Sequence, residues 1–246
     1  TNPIILSYAV DGQTHAAEAA MSAALLWAVA APLTPARRAL TCGLLIAAGG
    51  SFRPTYALLA GGVVLWVFWR DWPRLALLAA IAALGTLAWL VPTAELSGGW
   101  QAYRAANDAL VGLIVRQVSV LSSEHSARYA AINLRDTLAW SLLALAPLAV
   151  LLFGRAAGLR RAAWICGLMI VPSLLFYPLA FCAKAGYLAG LVAPAAVPGG
   201  LACGERGLAR WSPALVAVAQ LGFFLVGPQR IARTYMLPNV AEIVER

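Results

Sequence analysis

Seven stretches of this chain run 16 to 22 residues without a charged side chain, and the gaps between them alternate between arginine-rich and arginine-poor. The longest, 162–183, 75–94 and 185–204, match the ~20 residues a helix needs to cross ~30 Å of hydrocarbon at ~1.5 Å per residue. Soluble cores do not repeat that length, so the sequence predicts an integral membrane protein. Composition agrees: 62% of residues are hydrophobic and 11% charged, which leaves too little polar surface to cover a globule. The formal charge of +8 comes from arginines beside these apolar runs, and that placement argues against nucleic acid as a partner.

Orientation follows from the short loops, because Lys and Arg resist translocation. Nine arginines fall in four of them: Arg37 and Arg38; Arg70 and Arg74; Arg155, Arg160 and Arg161; Arg206 and Arg210. These loops are expected to face the cytoplasm. The turn at Arg53-Pro54, the long segment 95–137 and the turn at Lys184 then face outward. The resulting expectation is an all-α, polytopic transmembrane helix bundle of about eight spans, near 16–33, 39–52, 55–69, 75–94, 138–153, 162–181, 185–203 and 213–226. The second and third are short, and a re-entrant hairpin is an alternative there. Residues 1–228 form the bundle, with an outer helical loop at 95–137, and 229–246 begin an outer C-terminal segment. Thr1 is not an initiator methionine, so the chain is expected to be an excerpt of a longer reading frame.

No phosphate loop, nucleophile elbow or zinc helix occurs, and Cys42, Cys166, Cys182 and Cys203 lie widely spaced in or beside apolar runs. The glycine pairs Gly49-Gly50, Gly61-Gly62 and Gly199-Gly200 suit close helix packing. Chemistry is therefore sought among polar groups at the outer surface, where charge near hydrocarbon is costly and usually partnered. Asp11, His15 and Glu18 sit at the entry to the first span. His15 and Glu18, three apart, share a helix face and could hold a divalent ion or supply a base, or the acidic residues could simply complement the helix dipole. Arg53 stands alone at a tight outer turn, as a phosphate fork or as a snorkelling anchor. Lys184, the only lysine, stands with Tyr187 at the other outer turn, with the same two readings.

In the 95–137 segment, Tyr103, Leu110, Ile114, Val118 and Leu121 recur at helical spacing and predict a membrane-surface helix over 100–121. Ser122 and Ser123 offer a cap for a second helix carrying Glu124, His125, Arg128 and Tyr129. A solvated helix face is the plainer reading of both.

Three features carry a resemblance: Arg53-Pro54-Thr55 after a glycine-containing run, Gly186-Tyr187-Leu188 leading to Pro194, and Glu18 at an outer helix entry after Tyr8. Together they resemble the polytopic glycosyltransferases of the C-type superfold, which take sugar from a polyprenyl-phosphate carrier on the outer membrane face. The motifs are short, though the likeness extends over most of the chain. It implies an integral plasma (inner) membrane enzyme with an extracytoplasmic active face, a polyprenyl-phosphate sugar donor, a glycan, lipid or protein acceptor, and hexosyl or pentosyl transfer. It further implies an auxiliary acidic role for Glu18, with Asp11 beside it, and a place near the carrier phosphate for Arg53 and Lys184. Tyr187, His125 and Arg128 complete the candidate substrate-binding set. The family's main catalytic acid lies in an early outer loop to which nothing here corresponds. No protein metal site is assigned, and the cofactor stays open, a divalent metal being one option. The rival classes are a multi-pass transporter or permease, or a non-catalytic membrane scaffold subunit.

Overall fold

The computed structural model describes residues 14–118, 157–180 and 189–202, with isolated positions 131, 134–135, 138–139, 141–142, 144–146, 148, 211, 214 and 218. Among the described residues the fold is all-α, with helices α1 (Thr14–Ala30), α2 (Pro35–Phe52), α3 (Tyr56–Phe68), α4 (Trp72–Leu96), α5 (Trp100–Val118), α6 (Ala157–Ala180) and α7 (Ala189–Ala202). The all-helical expectation is met. One described helix, α4, is both long and apolar enough to cross a membrane.

Several boundaries move relative to the sequence reading. Thr34 caps α2 by accepting the Arg37 N–H at 3.4 Å, and Pro35 follows in the first turn, where its missing N–H costs nothing. Arg37 and Arg38 therefore ride on the helix and not in the loop. Pro73 likewise opens α4, bringing Arg74 into its first turn, and Arg160 and Arg161 lie within α6. The helix expected at 100–121 is present as α5 over its described part. Between α4 and α5 the chain turns at Gly98 and Gly99, with φ of 93° and 94°, a region that side chains with a Cβ avoid. Their N–H groups close the last carbonyls of α4, on Glu95 at 3.1 Å and Ala94 at 2.9 Å.

α3 lies at the centre of the bundle. It is apolar on every side and contributes Tyr56, Leu59, Ala60, Val63, Val64 and Phe68 to the core. α1, α2, α4 and α6 all pack on it, while α7 bridges α1 and α6. Ala144 joins the same core from the segment expected to form the fifth span.

α2 and α4 run parallel and unusually close. A Cβ on Gly43 would stand 2.9 Å from the Leu78 carbonyl oxygen and 3.0 Å from Ile81 Cβ, and one on Gly85 would stand 2.5 Å from Ala47 Cβ. Small residues let the two backbones meet. The contact register pairs residue 43 with about 80 and residue 47 with 85, so the end of α2 lies level with about residue 90. α4 then continues some six residues further, roughly 10 Å at 1.5 Å per residue. α3, with 13 residues, covers only ~20 Å, whereas the 25 residues of α4 cover ~37 Å. The α2–α3 turn is thus recessed below the C-terminal end of α4.

The outer surface is apolar. Trp72 is 70%, Leu84 67% and Leu96 90% exposed, and only 6% of the most apolar window of α4 is buried. Exposed tryptophans gather toward the ends: Trp27, Trp69 and Trp72 where α1 and α3 finish and α4 starts, and Trp100 beyond the far end of α4. The Arg70 guanidinium lies 4.5 Å over the Trp69 ring, while Arg74 pairs with Asp71 at 2.9 Å. At that same end Arg38 reaches back to the close of α1, donating to the carbonyls of Ala31 at 3.1 Å and Leu33 at 3.4 Å.

Candidate functional site

The polar centre among the described residues forms where α1 enters the bundle and α2 turns into α3. Glu18, in the second turn of α1, faces inward with 1% exposure, and Arg53, the residue after α2, is 8% exposed. One Arg53 guanidinium nitrogen donates to Glu18 Oε2 at 2.5 Å, a bond across 35 residues of sequence. The local chain explains the meeting. Arg53 leaves α2 in extended conformation while its N–H still bonds to the Gly49 carbonyl at 2.9 Å, and its own carbonyl accepts the Tyr56 N–H at 2.9 Å. This three-residue turn aims the side chain back over the bundle.

Glycines shape the surroundings. The Tyr56 ring lies directly against Gly49, where any Cβ would overlap it. On the other side, a Cβ on Gly190 of α7 would sit 3.2 Å from Glu18 Cγ and 3.1 Å from Leu59 Cδ2. α7 therefore closes over the carboxylate stem. Ser22, one turn beyond Glu18, donates its hydroxyl proton to the Glu18 carbonyl at 2.9 Å. The buried Tyr56 hydroxyl lies beside Ser22 and Glu18.

A carboxylate and a guanidinium sealed together inside an apolar bundle offset each other, since each would be costly there without the other. In the structure Glu18 and Arg53 are both buried and paired with each other. His15 lies on α1, and among the described residues no three His, Cys, Asp or Glu side chains gather as metal ligands.

Of the sequence-derived candidates, the structure brings Glu18 and Arg53 together. Asp11, His125, Arg128, Lys184 and Tyr187 lie outside the described residues. Three participants escaped the sequence reading. Ser22 was detectable, since i+4 from Glu18 is the same helix face. Tyr56 and Gly190 carried no signal, because their roles depend on which neighbour each helix meets. No family model, curated protein or solved structure matches the chain.

Proposed function

We propose that this chain is part of a polytopic membrane glycosyltransferase that moves a sugar from a polyprenyl-phosphate carrier to an acceptor on the extracytoplasmic face. The observation that carries the reading is the meeting of Glu18 and Arg53 at the end of the bundle opposite Arg37, Arg38, Arg70 and Arg74. Two of the residues that the sequence resemblance singled out are thereby neighbours. The exposed apolar flanks, the tryptophans near their ends and the length of α4 support a lipid setting.

In this mechanism an acceptor hydroxyl attacks the anomeric carbon. The new bond forms from the acceptor oxygen, the bond from the anomeric carbon to the phosphate oxygen breaks, and the lipid phosphate leaves with the electron pair. A carboxylate takes the hydroxyl proton, and cationic side chains stabilise the departing phosphate. Lys184 is assigned to the phosphate side and Tyr187, His125 and Arg128 to the substrate, while the buried Arg53, engaged by Glu18, takes a supporting role. Glu18 is auxiliary, its carboxylate being engaged by Arg53.

The full-length protein in vesicles, given a radiolabelled polyprenyl-phosphate hexose or pentose, is expected to release polyprenyl phosphate and label an acceptor. Lys184→Ala should lower that transfer about 100-fold if a charge contact to the phosphate is lost. Wild-type transfer in folded Lys184→Ala would remove the assignment.

One observation favours a permease instead: a buried ion pair below the rim of a membrane bundle is the kind of group that lines a transport path. Uptake of a labelled solute by vesicles that show no sugar transfer would select that reading.

A further inference from the structure

We infer that Glu18 is the resident counterion that lets the α2–α3 hairpin carry Arg53 to the side opposite the arginine-rich helix ends, so that this ion pair sets the direction in which the hairpin inserts. The inference goes beyond sugar transfer and rests only on the membrane topology in that reading. Four observations converge on it.

First, Arg53 is the one charged residue between Arg38 and Arg70. The hairpin thus moves a single charge, of the sign that membranes retain on the cytoplasmic side. Second, α2 has 18 residues and α3 has 13, about 27 and 20 Å, both short of the ~30 Å of a hydrocarbon core. Arg53 lies some 10 Å below the end of α4 by helix register, and the partner it meets comes from within the bundle.

Third, that partner precedes it in the chain. Glu18 is on α1, 35 residues earlier, and is in place at that end when the hairpin follows it during synthesis. Fourth, the pair is sealed once made. Glu18 is 1% and Arg53 8% exposed, with Leu59 and Gly190 packed against the carboxylate stem. The two charges are not equivalent in this scheme. Unpaired Arg53 opposes translocation of its turn, whereas unpaired Glu18 has little influence on topology, because acidic residues weigh little in orientation. A merely structural ion pair would suffer equally from loss of either member.

The test uses the full-length protein in its own membrane with Ser51→Cys, an exposed position in the last turn of α2, read as the labelling by impermeant maleimide that it adds over the parent. The parent Ser51→Cys is expected to react from outside. Adding Glu18→Gln should lower outside labelling about fivefold or more and raise labelling on the cytoplasmic side, while Arg53→Gln keeps it outside within about twofold. Combining Glu18→Gln with Arg53→Gln should restore outside labelling. Full outside labelling in the Glu18→Gln variant, or equal loss in both single variants, would overturn the inference, as would failure of the double variant to recover. If the parent itself reacts only from the cytoplasmic side, the topology beneath both proposals is wrong. A double variant that labels outside and lacks transfer supports both proposals. One that labels outside and retains full transfer supports the insertion role and removes Glu18 and Arg53 from the transferase site.

Discussion

In molecules whose α2–α3 hairpin is inserted as in the wild type, replacing Glu18 or Arg53 alone by glutamine strands the other charge in a dry interior, and each change is expected to cost about 3–5 kcal/mol. The double substitution should recover most of that loss, since two neutral amides leave no orphaned charge. Thermal unfolding of the purified variants in detergent, arranged as a double-mutant cycle, measures the coupling. Additive losses would mean that the two side chains do not depend on each other. The glycines give a second contrast. Gly49→Ala drives a methyl into the Tyr56 ring and should destabilise by about 1–3 kcal/mol. Gly50→Ala faces open space and should be neutral or stabilising by up to about 1 kcal/mol through helix propensity. The sequence shows these as a pair of small residues and marks Glu18 and Arg53 as separate polar exceptions. Which glycine faces a neighbour, and that residues 35 apart meet, depends on the rotation of each helix against its partners, which no local pattern records.

At the scale of elements, Arg38 closes the end of a neighbouring helix. Its guanidinium donates to carbonyls where α1 ends and places positive charge at the negative end of that helix dipole. Arg38→Ala should cost about 1–2 kcal/mol, while Arg37→Ala, at an exposed position, should stay within about 0.5 kcal/mol. Equal melting shifts in the two variants would contradict the capping role. Helix existence was legible from the uncharged runs at every described element but α5, whose helical spacing marks it instead, because run length and apolarity are properties of the chain alone. The starts were misplaced by up to five residues, as at α6, since charge was used to mark loops. Thr34 with Pro35, and Pro73, instead begin helices upstream of the arginines, which then occupy first turns and extend toward the interface from there.

For the whole molecule, the decisive pattern is opposition between two ends. One carries Arg37, Arg38, Arg70 and Arg74 with Trp27, Trp69 and Trp72; the other carries Glu18 paired with Arg53 and the glycine turn into α5. Between them the exposed flank is apolar, so the protein is expected to stay with membranes through alkaline carbonate extraction. Recovery in the soluble fraction would contradict a lipid setting. The alternation of ends was legible from the arginine loops. The recess at Arg53 was not, because it arises from the register between α2 and α4, set by Gly43, Ala47 and Gly85. The most direct measurement compares Arg37→Cys, at the start of α2, with Ser97→Cys, just past the end of α4, using an impermeant thiol reagent on intact cells. Reaction of Ser97→Cys in intact cells, with Arg37→Cys reacting only after lysis, is the predicted result; reaction of both from the same compartment would contradict it.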